Sequence, residues 1–209
     1  MIIKSNKNKG GFIMEQENIA LSILYESNGY LSSKHAKEKG VKNTTLLRME
    51  ERGVIERIAH GLYIGADIIP DRFFIMQYRC SKGIYSHLTA MYLHNLSDRD
   101  PIRLTMTVPT GMNTKSFTDE NIIFYYSNPN RIMLGMTEIE SMSGKSIKVY
   151  DIERTICDCL KSIEKMDNDL VLTGLKRYLQ SKSRDSTKLL DYATEFKMRD
   201  IIRRYLEVL

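Results

Sequence analysis

The sequence predicts an α+β chain in two parts, and three observations carry that expectation. Up to about Arg57 it consists of short apolar-periodic segments separated by glycines. Two β-prone runs then meet at Gly61. Beyond Pro70 apolar-rich helical segments alternate with Thr- and Val-rich strands, and the chain closes on a series of helices. A length of 209 residues suits one large domain or two small ones, and 42% hydrophobic residues can supply a core. The 27% of charged residues include no long acidic tract, so the composition is that of a folded chain.

Residues 15–28, EQENIALSILYESN, predict a helix with Ile19, Ala20, Ile23 and Leu24 on one face, ended by Gly29. Ser32 or Ser33 caps a short helix running to about Lys39, and Gly40 stops it. Asn43 or Thr44 caps a second helix to about Arg52, and Gly53 stops that one. Two short helices joined by the turn GVKN, with Val41 as an apolar plug, make a helix-turn-helix pattern. Val54–Ile58 and Leu62–Gly65 then form a hairpin about Ala59-His60-Gly61, where glycine tolerates the positive φ of a tight turn. A helix, a helix-turn-helix and a hairpin in that order predict a winged helix.

The second part is expected to be a mixed α/β domain ending in helices. DRFFIMQYRCS after Pro70 and the segment 86–96 with Ser86 as its cap predict helices. IRLTMTVP, NIIFYYS and short runs within 131–150 predict strands. Helices are expected from about Ile152, over 168–181 and 186–194, and over 197–208. The start MIIKSNKNKGGFIM lacks the apolar core of a signal peptide and is expected to be a flexible leader over 1–14, with Met14 an alternative start. No run approaches the roughly 20 apolar residues of a membrane span, so a cytoplasmic location is expected. Cys80, Cys157 and Cys159 form no disulfide framework or zinc spacing, and no cofactor or metal is expected.

Charge narrows the partners. The net charge is +5, and it is unevenly spread. Residues 1–80 carry 12 Lys and Arg against 9 Asp and Glu, residues 81–140 carry 5 against 6, and residues 141–209 carry 14 against 11. Both ends are basic, as a phosphate-binding surface requires. On the second helix of the helix-turn-helix, 100° per residue turns Leu46, Met49 and, less well, Leu47 inward and Thr44, Thr45, Arg48 and Arg52 outward. Hydroxyls and guanidiniums reach base edges and phosphates. Taken alone, the helix is as readily an ordinary solvated face.

The chain as a whole resembles the AbiEi family of abortive-infection antitoxins, of type IV toxin–antitoxin systems. The resemblance rests on GYLSSKHAKEKGVKNTTLLRMEERGVIERIAHGLYI, YSHLTAMYLHNLSD and VYDIERTICDCL, in that order. It implies a winged helix-turn-helix DNA-binding domain over 15–70 and an antitoxin domain over 71–209. It also implies a repressor that binds inverted repeats in the operator of its own operon. Its functional partner would be a nucleotidyltransferase-like toxin, neutralised without a stable complex. On this reading Thr44, Thr45 and Arg48 read bases, Lys34, Lys42 and Arg52 hold phosphates, and Arg57 and His60 lie on the wing. Residues 176–204, with 9 Lys and Arg against 4 Asp and Glu, add a basic surface of Lys176, Arg177, Lys182, Arg184 and Lys188 facing DNA, RNA or the toxin.

Two alternatives stand beside this one. A plain winged-helix regulator would lack the antitoxin activity. A metal-dependent nuclease would need carboxylates around Mg²⁺ and a lysine at the phosphate. Glu195-Phe196-Lys197 is the one Glu-x-Lys and lies in helical sequence, while Asp98, Asp100, Asp151, Glu153 and Asp158 each have a structural reading as turn, cap or ion pair. The expectation is a protein that is not an enzyme.

Overall fold

The computed structural model describes residues 7–117 and 121–208. It is a mixed α+β structure with two sheets, and the chain divides into two compact units. The first comprises residues up to Arg79 together with Glu140–Lys145, and the second comprises Cys80–Ile139 and Ser146 onward.

The first unit runs α1 (Lys7–Glu26), β1 (Tyr30–Ser32), α2 (Ser33–Glu38), α3 (Asn43–Glu51), β2 (Ile55–Ala59), β3 (Leu62–Gly65) and α4 (Arg72–Arg79). Residues 1–6 of the expected leader lie outside the described residues, and residues 7–14 are the first two turns of α1. Ala20, Ile23 and Leu24 are buried, as their spacing predicts. They pack with Leu31, Ala36, Val41, Leu46, Met49 and Ile55, so one core joins α1, α2, α3 and the start of β2. Ser32 caps α2 by accepting the His35 N–H at 3.1 Å.

The three strands form a sheet in the order β1-β3-β2, antiparallel throughout. Tyr30 faces Ile64 and Arg57 faces Tyr63, with a register shift between Arg57 and Ala59. Gly61 turns the hairpin at φ +71°, and a Cβ there would stand 2.9 Å from Ser33 Oγ. Its carbonyl accepts the Ser33 N–H at 2.8 Å and the Tyr78 hydroxyl at 3.1 Å, which pins the turn to α2 and α4. Phe74 meets Tyr30 edge to face, with centroids 4.8 Å apart. These contacts make α4 part of the first unit, so the break falls after Arg79.

Residues 140–145 also return to the first unit. Fully buried Asp71 is their anchor, with its Oδ2 accepting from the Ser143 hydroxyl at 2.7 Å and the Ser143 N–H at 3.2 Å. Its Oδ1 accepts the Phe73 and Phe74 N–H groups at the start of α4. Burial by itself raises the pKa of this carboxyl, but the donors from Ser141, Ser143 and Phe74 outweigh it and hold the group below its ordinary value.

The second unit carries β4 (Ile84–Tyr85), α5 (His87–Leu93), β5 (Leu104–Pro109), β6 (Ile122–Ser127), α6 (Pro129–Ile132), β7 (Met136–Glu140) and β8 (Ser146–Tyr150). It ends in α7 (Ile152–Lys161), α8 (Asn168–Gln180), α9 (Ser186–Glu195) and α10 (Arg199–Val208). Its sheet has the order β6-β5-β4-β8-β7, with β5 parallel to β6, β4 antiparallel to β5 and β4 parallel to β8. α7 is the central helix. Asp151 caps it through the Arg154 N–H at 2.8 Å, and Ile156, Cys157, Cys159 and Leu160 are all buried. They join Met91, Val171, Leu175, Leu189 and Ile202 in the core, where burial raises the pKa of the Cys157 thiol to about 12. α8 approaches Met91 and Leu96 closely enough that only glycine fits at Gly174.

Candidate nucleic-acid interface

α3 is the element on which most of the expected DNA contacts fall. Its inward face comprises Thr45, Leu46 and Met49, all at most 2% exposed. Thr45 is thus buried and is not placed to read bases. It lies one turn before Met49, on the core stripe, and its hydroxyl donates to Gln16 Oε1 at 2.8 Å. Gln16, itself buried on α1, also accepts the Lys42 N–H at 3.0 Å. Lys42 is the N-cap of α3 and has no side-chain cap bond, so neither Asn43 nor Thr44 caps the helix as expected, and Gln16 ties its start to α1.

The outward face carries Thr44, Leu47, Arg48 and Glu51, at the i, i+3, i+4 and i+7 spacing of one helical stripe. Leu47 is 47% exposed between Thr44 and Arg48. An exposed leucine on such a face offers apolar contact of the kind a thymine methyl accepts. The Arg48 side chain is exposed and has no ion-pair partner among the described residues. Arg52 differs from what the sequence predicts. Its Nη2 meets Glu17 at 2.8 Å and its Nε donates to the Arg48 carbonyl at 3.3 Å, so it ties α3 to α1 in place of reaching for phosphate. Glu51 brings one negative charge to the same stripe.

Lys34 on α2 and Lys42 at the start of α3 are both exposed. At the hairpin, Arg57 and His60 are exposed, and Arg57 Nη2 lies 3.3 Å from His60 Nδ1. The Arg57 guanidinium thus donates to the His60 ring nitrogen at the tip.

The basic residues expected to form a surface on the second unit are partly engaged within that unit. Arg177 makes a bidentate pair with Asp98, and Arg184 donates to the Leu179 carbonyl at 2.6 Å. Lys188 lies 3.0 Å from Asp151 and 3.8 Å from Glu153. Two of the five expected cations, Arg177 and Lys188, have carboxylate partners of their own, while Lys176, Lys182 and Arg184 stay exposed.

The carboxylates weighed for nuclease chemistry are engaged in the same way. Asp151 caps α7 and accepts the Tyr192 hydroxyl at 2.8 Å. Asp158 accepts Arg154 Nε on both oxygens at 3.0 and 3.1 Å, and Glu195 accepts Arg131 Nε at 2.9 Å. Among the described residues no three His, Cys, Asp or Glu side chains are grouped to hold a metal ion, and no helix is long and apolar enough to cross a membrane.

No protein-family model and no curated protein matches the chain. Among solved structures, it is similar to the Rv2827c protein of Mycobacterium tuberculosis, at 8% identity and a TM-score of 0.52, over 88% of this chain and 75% of that one. At that identity the likeness speaks for the fold alone, and it extends over a share of the chain larger than either unit.

Proposed function

We propose that the chain is a DNA-binding repressor whose first unit is a winged helix, with α3 as its recognition helix and the β2–β3 hairpin as its wing. The observation that carries this reading is the α3 stripe. It sets a hydroxyl, an apolar side chain and an unpaired guanidinium side by side on the solvent face of a helix that follows α2 by a four-residue turn. Arg48 bonds bidentately to guanine or singly to phosphate, and Thr44 and Leu47 flank it. Lys34 and Lys42 supply phosphate contacts beside it, and Arg57 and His60 touch backbone from the hairpin. Thr45 and Arg52 serve the fold of the unit and not its contact with DNA.

The repressor is further proposed to be the antitoxin of a type IV toxin–antitoxin operon, acting on a nucleotidyltransferase-like toxin without a stable complex. That half rests on the resemblance of the three sequence segments to the AbiEi family.

Fluorescence anisotropy with the DNA upstream of the operon tests the first half. Arg48→Ala should weaken specific binding by about 5- to 150-fold, the equivalent of ~1–3 kcal/mol for one base-reading arginine. Arg48→Lys should retain nonspecific affinity and lose discrimination. Equal operator affinity for Arg48→Ala and the unaltered chain would refute α3 as the reading helix. Coexpression with the neighbouring toxin tests the second half, since Arg48→Ala should still rescue growth. Failure of the unaltered chain to rescue growth would leave a plain regulator.

A further inference from the structure

The second unit encloses a cavity of about 270 Å³ that DNA binding leaves without a role. His87 lines it and is the first residue of α5. Its φ of +51° is unusual for a residue other than glycine and costs on the order of 1–2 kcal/mol. The residue is 4% exposed, and its ring lies on Tyr125 with centroids 3.5 Å apart and planes 16° from parallel.

Ser86 Oγ accepts from Thr107 Oγ1 at 2.9 Å and lies 2.9 Å from His87 Nδ1. In the tautomer where Ser86 donates to Nδ1, the ring proton sits on Nε2, which makes no hydrogen bond among the described residues. Burial, reinforced by the Arg154 charge, lowers the His87 pKa to about 3, so the ring is a neutral donor at physiological pH.

Arg154 lines the same cavity and is 3% exposed. Its Nε serves Asp158, and its Nη1 serves the carbonyls of Arg131 and Leu134 at 3.2 and 2.9 Å. Phe196 and Tyr150 lie against the guanidinium at 4.2 and 4.3 Å, which holds it in place. Nη2 makes no hydrogen bond among the described residues. Two side chains thus present donors without a protein partner among the described residues to one cavity, where an acceptor ligand can engage both. Arg131 and Lys161 bring two more cations, and Asp158 brings a carboxylate. Glu195 pairs with Arg131 at 2.9 Å, so three cations face two carboxylates and one positive charge is left for an anionic ligand. The volume lies just below the range of drug-sized sites, roughly 300–1,000 Å³, so the occupant is compact.

We propose that this cavity binds a small phosphate-bearing anion, with His87 and Arg154 as the buried donors and Arg131 and Lys161 as the cations at its edge.

Isothermal titration of the full chain with inorganic phosphate, chloride holding the ionic strength constant, tests the site. Saturable one-to-one binding with a Kd of about 1 mM or tighter is expected. Lys161→Glu, at an exposed position, should leave the melting temperature without phosphate unchanged and weaken binding by at least about tenfold. His87→Asn should weaken binding by as much, because asparagine tolerates the left-handed backbone while removing the Nε2 donor, and should lower the melting temperature through loss of the Tyr125 stack. Titration with AMP distinguishes the source. Tighter binding than phosphate assigns the site to a phosphate ester, and weaker binding assigns it to the free ion. Absence of saturable heat, or binding that both variants leave intact, overturns the proposal.

Discussion

Replacing Gln16 with alanine should destabilise the first unit by about 2 kcal/mol. Oε1 of this one side chain accepts both the Lys42 N–H at 3.0 Å and the Thr45 hydroxyl at 2.8 Å. A buried donor left without its acceptor costs roughly 1–3 kcal/mol. Both losses fall at the low end of that range. Lys42 is exposed enough for water to reach its N–H, and the Thr45 hydroxyl can turn to a carbonyl of the preceding turn. About 1 kcal/mol for each gives the total, and for a unit of this size it lowers the melting temperature by roughly 10 °C. Gln16→Glu separates the cause from mere loss of volume. A carboxylate accepts both donors and lies at the positive end of α3, so this variant should melt close to the unaltered chain. Thermal and urea unfolding followed by circular dichroism measure all three proteins. If Gln16→Glu is destabilised as much as Gln16→Ala, the acceptor role is wrong and Gln16 acts through packing. The alanine variant should also bind operator DNA less tightly, because α3 would lose the contact that fixes its first turn against α1.

Two further predictions concern stability. Asp71 has a lowered pKa in the fold, so its contribution is full above the unfolded-state pKa and is lost as pH falls through the folded one. Asp71→Asn should cost about 2 kcal/mol near neutral pH, and the gap in urea midpoint between it and the unaltered chain should narrow as pH falls below about 4. A gap independent of pH would contradict the ionised anchor. Gly174→Ala would gain about 1 kcal/mol on an exposed helix. Here the new Cβ would overlap Met91 Cε and stand 3.2 Å from the Leu96 carbonyl oxygen, so net destabilisation of about 1–2 kcal/mol is expected, and a raised melting temperature would refute the close helix approach.

The local pattern of the first unit is legible in the sequence because it depends on neighbours. Ser32 caps α2, Val41 plugs the turn, and Leu46 and Met49 face inward at i, i+3. The errors arise where a partner is distant in the chain. A hydroxyl suggests a solvent-facing residue, and nothing near Thr45 reveals that its acceptor is Gln16. Arg52 counted as a free cation because Glu17 lies on another helix. The change of composition after Pro70 brackets the boundary without placing it, because the contacts of Phe74 and Tyr78 that tie α4 to the first unit are distant in the chain. The cavity in the second unit is the least legible feature. Its lining is drawn from β5, β6, α5, α6, α7 and the segment after α9, so no single stretch of sequence holds it. Only the pairing of Arg154 with Asp158 at i, i+4 shows in the sequence, and it reads there as an ordinary helical ion pair.

The return of residues 140–145 to the first unit bears on how the protein is made. A growing chain that has released only residues up to Arg79 has every helix and strand of the first unit, yet Asp71 still lacks the Ser143 donors. Its carboxylate must stay hydrated until more than sixty further residues have left the ribosome. Completion of the first unit is thereby coupled to synthesis of most of the second unit's sheet, since β4, β5, β6 and β7 precede Ser143. A nascent chain stalled before Ser143 should be cleaved near Asp71 by protease at a rate that falls once residue 145 emerges.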